Sequence, residues 1–180
     1  MKILFLYRYG ILGGVCTQLY HRLLNFDKTI EVHCGFRNDF GITKMFDGLA
    51  ELHFDLTPLK IANLLEKENF DIIIIIDTEE YLHAVKQINH DAVVILEVHT
   101  SIERNLQYLS NIEKSDVDAV IVVSEFMRNR VQQLTYEKLV GVPIIIFPNV
   151  VDSNIFSPKK IETSGPPVIG WVGKLDDHKN

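Results

Sequence analysis

Short apolar runs alternate with amphipathic stretches along nearly the whole chain. Residues 3–7, 30–34, 50–54, 71–77, 92–98, 119–123 and 143–147 have strand length and are rich in Ile, Val, Leu or Phe. Residues 71–77 enclose five consecutive isoleucines, a composition that fits a strand buried on both faces. Between the runs, apolar residues recur at helical spacing: Cys16, Leu19, Tyr20, Leu23 and Leu24 first, then Ile61, Leu64 and Leu65, then Tyr81, Leu82, Val85 and Ile88. Leu106, Leu109 and Ile112 form another such set, followed by Met127, Val131 and Leu134. Three of these helices carry start signals. Thr57-Pro58 is a cap followed by proline at the first helical position, Thr100 and Glu103 stand at capping-box spacing, and Ser124 precedes the helix of Met127. Residues 37–48 read as a loop with one helical turn. Regular strand–helix alternation predicts an α/β fold, a Rossmann-like doubly wound parallel sheet with helices on both faces.

The last fifteen residues, 166–180, break the rhythm. An apolar run from Val168 to Val172 leads to Gly173 and a charged stretch, as if a new parallel unit began there. The pattern predicts a domain over 1–150, a linker over 151–167 with weak periodicity, and the first strand of a second, truncated domain over 168–180.

Composition narrows the function classes. The chain has 180 residues, 47% of them apolar, which suits one well-cored domain. A net charge of −6 argues against a nucleic-acid partner, which needs a basic face. Cys16 and Cys34 lie in apolar segments and read as buried free thiols, in keeping with a cytoplasmic setting. No run reaches bilayer-spanning length. Phe40, Met45 and Phe46 beside Arg37 and Lys44 offer a peripheral contact with the inner face of a membrane; an ordinary surface loop is the competing reading.

Ligands of open α/β sheets bind beyond the carboxyl ends of the strands. One such end carries Gly10, Gly13 and Gly14 ahead of a helix, where backbone approach and the helix N-terminus favour an anion. Neither the dinucleotide nor the P-loop glycine spacing is met, so a tight turn explains the pair equally well. His99 follows the strand over 92–98 and can hydrogen-bond a ligand, shuttle a proton or merely brace the turn. Lys174 and Lys179 flank a glycine turn and can hold a diphosphate or lie solvated. Asp77 and Glu97 also stand at strand ends, without spacing that makes them an acid/base pair. The remaining histidines lack the spacing of a metal site, and no metal is expected.

Several of these segments, in order, resemble one family. They are 3–7 with Gly13-Gly14-Val15, Val98-His99-Thr100, Val122-Val123-Ser124-Glu125 with Val131, Pro148-Asn149-Val150-Val151-Asp152 with Phe156 and Pro158, and Gly170-Trp171-Val172-Gly173-Lys174-Leu175 with Lys179. The chain resembles the N-terminal half of a GT-B-fold retaining glycosyltransferase (glycosyltransferase group 1 / family 4-like). The resemblance implies transfer of a sugar from a nucleotide-diphosphate donor to a sugar, lipid or polymer acceptor, in cell-envelope or glycan biosynthesis, without a metal. It implies that Gly13 and Gly14 face the donor, that His99 is catalytic at the transferred sugar, that Thr100 lies toward the acceptor, and that Lys174 and Lys179 neutralise the leaving diphosphate. Val150 departs from the family's glycine, and Lys174 from its arginine. The family's paired glutamates and nucleotide pocket belong to a C-terminal domain, so the chain alone is expected to be inactive. The alternative is a non-catalytic Rossmann-like module that binds a phosphorylated ligand.

Overall fold

The computed structural model describes residues 1–88, 91–157, 165, 166 and 170. Seven strands form one parallel sheet: β1 Lys2–Ile11, β2 Glu31–Phe40, β3 Glu51–His53, β4 Ile72–Ile76, β5 Val93–Val98, β6 Ala119–Val122 and β7 Ile144–Ile146. Their spatial order is β3-β2-β1-β4-β5-β6-β7. The order reverses between β1 and β4, so crossovers leave on opposite faces and a crevice opens there. The fold is the Rossmann-like doubly wound sheet that the alternation predicts.

Side chains alternate across each strand, and the sequence supplies apolar groups to both sides. Leu4, Leu6, Ile73, Ile75, Val94 and Leu96 pack with α3 (Pro58–Lys67), α4 (Leu82–Ile88) and α5 (Glu125–Thr135). Ile3, Phe5, Cys34, Phe36, Ile74 and Ile76 pack with α1 (Gly14–Leu24) and the short α2 (Thr43–Phe46). The isoleucine strand thus feeds both cores, and Ile73 and Ile75 are fully buried. Cutting either to Ala would cost about 2–5 kcal/mol, since close-packed neighbours cannot fill the void.

Helix starts follow the sequence. The Thr57 hydroxyl accepts from Lys60 N at 3.3 Å and the Ser124 hydroxyl from Met127 N at 3.3 Å. Both cysteines are buried and free.

Three expectations fail. β1 and β2 run on to Ile11 and Phe40, because they keep pairing through Tyr9↔Asn38 and Ile11↔Phe40. The first third of the 37–48 loop, through Phe40, is therefore strand; Gly41 at φ +90 and the expected single helical turn, α2, follow. Phe46 is fully buried in the α1-side core, while Phe40 is exposed. The helix after Thr100 is absent. Thr100 Oγ1 accepts from Ile102 N at 3.3 Å rather than from Glu103, and three 3-10 turns follow (Glu103–Asn105, Gln107–Asn111, Lys114–Asp116). These turns still bury Leu106, Leu109 and Ile112, so burial is satisfied without α-helical bonding. The boundary expectations over 151–167 and 168–180 fall largely outside the described residues. Among the described residues, no helix is long and apolar enough to cross a membrane.

Candidate active site

A cleft of about 700 Å³ opens at the carboxyl ends of β1, β4 and β5, at the reversal of strand order. Its wall includes Tyr7, Arg8, Gly14, Asp77, His99, Thr100 and Tyr108. This is where a parallel sheet leaves loop backbone and helix starts facing solvent together.

The β1–α1 turn forms one side. Gly10 lies in the last paired stretch of β1, and a Cβ there would lie 2.3 Å from the Asn38 carbonyl oxygen of β2. Only glycine lets the two strands stay paired so far into the turn. Gly13 is the N-cap of α1, with no side chain to cap the helix and no acidic residue in its first turn. The first N–H groups of α1 are thus left without a side-chain acceptor, with Gly14 and Val15 in the cleft wall. An anion can take them.

The floor is an ionic relay. Glu97, the penultimate residue of β5, is fully buried and receives Arg22 of α1 in a two-pronged contact, Nη1 to Oε2 at 2.8 Å and Nη2 to Oε1 at 2.5 Å. The Arg22 guanidinium lies 4.8 Å from the centroid of the Phe147 ring. His99 Nε2 meets Glu97 Oε1 at 2.6 Å. Burial by itself pushes the Glu97 carboxyl up. Hydrogen bonds from His99 and Arg22 and the Arg22 charge outweigh it and hold the group at about 2. Glu97 is therefore a carboxylate that can only accept, so His99 Nε2 carries the hydrogen. In the neutral ring that fixes the tautomer and leaves Nδ1 as an acceptor. The bond holds the His99 ring in place on the cleft wall rather than leaving it free to rotate.

Asp77 joins the two strand ends. It stands just past β4 in left-handed backbone, φ 51, a conformation that aspartate tolerates better than most residues. Its Oδ1 accepts from His99 N at 2.8 Å and Thr100 N at 3.3 Å, while its own N–H donates to the Glu97 carbonyl at 2.9 Å. Burial raises the Asp77 carboxyl, partly offset by the bond from the His99 backbone. On the cleft wall, the Tyr108 hydroxyl and Glu79 Oε2 are buried without a hydrogen-bond partner. Such groups are costly unless something in the cleft meets them.

Gly14, His99 and Thr100 therefore share one cleft, and Gly13 abuts it. Lys174 and Lys179 lie outside the described residues. Pattern reading missed Arg22 and the bridging role of Asp77. Arg22 did leave a signal: a charged residue three positions after Leu19, beside the apolar stripe of α1. Gln18 Oε1 also accepts from Val150 N at 2.8 Å, tying α1 to the segment after β7.

The expectation that the histidines lack a metal-like cluster is corrected. His33, Glu51 and His53 place ligand atoms within 4.8 Å of one another. The spacing hid them because they sit on two adjacent strands, β2 and β3.

Comparison with known proteins gives the fold a relative. No protein-family model matches the sequence, and no curated protein matches it. Among solved structures, the chain superposes on Anabaena HepE in complex with UDP and glucose, with TM-score 0.63 and 18% identity over 89% of this chain. The fold is that of half of HepE. The chain spans 47% of that protein's length. HepE with UDP alone gives 0.61 at 19% identity, covering 86% of this chain and 46% of HepE. HepE with UDP-glucose gives 0.59 at 16% identity, covering 89% and 47%.

Proposed function

We propose that this chain is the N-terminal, acceptor-side domain of a retaining GT-B glycosyltransferase that uses a nucleotide-diphosphate sugar. The observation that carries the reading is the cleft itself. At the switch point of the sheet, an uncapped helix start, a tautomer-fixed histidine and two unpartnered polar groups converge. HepE, whose half shares this fold, was solved with UDP, with UDP-glucose and with UDP plus glucose, which fits such a ligand.

In this reading the N-terminus of α1, reached past Gly13 and Gly14, faces the donor's diphosphate. His99 Nδ1 accepts from a hydroxyl of the transferred sugar, with Glu97 and Arg22 holding the ring. Thr100 lies toward the acceptor, a sugar, lipid or polymer. Lys174 and Lys179, at the opening of a second domain that begins near residue 168, meet the charge that builds on the leaving diphosphate. Fixed cations aimed at developing charge are an effective source of transition-state stabilisation.

The test uses the product of the encoding gene read past Asn180. Incubation with UDP-glucose and a panel of glycan and lipid acceptors should release UDP, and His99→Ala should lower kcat by roughly 100-fold. The 180-residue chain alone should turn over negligibly. Sugar transfer by that chain at an ordinary enzymatic rate would defeat the two-domain reading. A longer product that neither binds nor consumes any nucleotide-sugar would defeat the enzyme reading.

A further inference from the structure

Two Glu-x-His doublets lie on neighbouring parallel strands, Glu31-Val32-His33 on β2 and Glu51-Leu52-His53 on β3. Strand periodicity puts both members of each doublet on one face. The register pairs His33 with Glu51 and Gly35 with His53, so the doublets are offset by one step and all four side chains share that face. The patch sits near the start of β2 and at the edge strand β3, opposite the cleft end of the sheet.

Its geometry is unusual for a structural pair of histidines. His33 is 1% exposed, in a strand whose neighbours Val32, Cys34 and Phe36 are core residues. The two rings stack at 7° with centroids 5.2 Å apart, and His33 Nδ1 faces His53 Nε2 at 2.9 Å. Glu51 Oε1 lies 3.8 Å from His53 Nε2, and Glu51 Oε2 lies 3.9 Å from His33 Nε2. Behind the ring, His33 Nε2 meets Glu31 Oε1 at 3.0 Å, and Lys2 Nζ meets the same oxygen at 2.9 Å.

We propose that this patch is a binding site for a divalent transition-metal ion, with His33 Nδ1, His53 Nε2 and a Glu51 oxygen as ligands. Glu31 is the supporting carboxylate that takes the Nε2–H of His33 and so aims Nδ1 at the ion, the usual arrangement behind a metal-bound histidine. Without metal, one hydrogen must lie between the two facing nitrogens. The ion replaces it once His53 carries its hydrogen on Nδ1 instead. Two imidazoles and one carboxylate suit zinc, and select against magnesium and calcium, which prefer oxygen ligands. Tetrahedral zinc bonds of about 2.0–2.1 Å need the two nitrogens about 3.3 Å apart. The 2.9 Å separation needs only a small opening, which an edge strand allows. Three protein ligands leave a fourth position to water. A bound ion would clamp β3 to β2, independently of what the cleft does.

The test is metal binding by the 180-residue chain, stripped with a chelator and titrated with zinc against a chromogenic competitor. Uptake of one equivalent is expected, with a rise in Tm. His53→Gln and Glu51→Gln alter side chains nearer solvent than His33, so folding should survive, as circular dichroism would report. Each should weaken zinc by about 100-fold or more, and Glu31→Gln by about 10-fold. His99→Gln, in the cleft, should leave zinc binding unchanged. No stoichiometric binding would overturn the site. So would binding that is indifferent to His53→Gln and Glu51→Gln, since the ion would then be held elsewhere.

Discussion

The same three-part motif, cation–carboxylate–imidazole, occurs at both ends of the sheet. At the cleft it is Arg22–Glu97–His99, and at the opposite end Lys2–Glu31–His33. In both the carboxylate lies between a positive side chain and a ring nitrogen. They differ in solvent. The Glu97 side chain is fully buried, whereas that of Glu31 is 60% exposed. They also differ in the cation. The Arg22 fork binds both oxygens of Glu97, while Lys2 divides its single ammonium between Glu31 at 2.9 Å and Glu68 at 2.5 Å.

Identical connectivity therefore carries different energetic weight. Water solvates whatever Glu31 does not bind, so that network contributes little to stability and its geometry can adjust. Glu97 has no water to fall back on, so each partner is needed and the ring of His99 stays fixed. Fixity is what a ligand-facing histidine needs, and adjustability is what a metal site at a sheet edge needs.

The comparison can be broken first at the carboxylates. Glu97→Gln should cost about 3–5 kcal/mol in urea unfolding, because the Arg22 charge is left buried without a counter-charge. An effect below 1 kcal/mol would mean that the cleft network is as loosely held as the exposed one.

Acid comes next. Glu97 titrates at about 2 in the folded chain against an ordinary 4.5. A depressed carboxyl contributes stability that is complete above about 4.5 and lost as pH falls toward 2, on the order of 3 kcal/mol. Asp77 acts in the opposite sense, since burial raises it and protonation then favours the folded state. Urea melts from pH 6 to pH 2 should show a loss of stability for the natural chain and a flatter profile for Glu97→Gln. Equal slopes would remove Glu97 as its source.

The cations sharpen the contrast. Arg22→Lys should cost about 2 kcal/mol, since an ammonium cannot bind both oxygens in the same plane or stack on Phe147 in the same way. Lys2→Arg should be neutral within about 0.5 kcal/mol. Glu31→Gln should change stability of the metal-free chain by less than about 1 kcal/mol, also below the effect of Arg22→Lys. Thermal melts of the three variants side by side would check that order.

Much of this was legible beforehand. The isoleucine run announced a strand buried on both faces, and Thr57-Pro58 and Ser124 marked helix starts that the structure keeps. The glycine turn, His99 and Thr100 stood at strand ends, where a parallel sheet opens its crevice. The segment after Thr100 misled because Leu106, Leu109 and Ile112 have a spacing that 3-10 turns can bury as well as an α-helix can. The extension of β2 was hidden because its outer residues alternate poorly and are held by pairing with β1.

The sequence by itself determined the alternation of elements, the two-sided burial of the central strands and the caps, because these depend on neighbours a few positions away. Tertiary structure alone decided that Arg22 reaches Glu97 across 75 positions and that His33 faces His53 across 20. The strand register and the packing of α1 against the sheet set those encounters. Charge pairing and ligand geometry depend on distances in space, and local periodicity does not record which strands become neighbours.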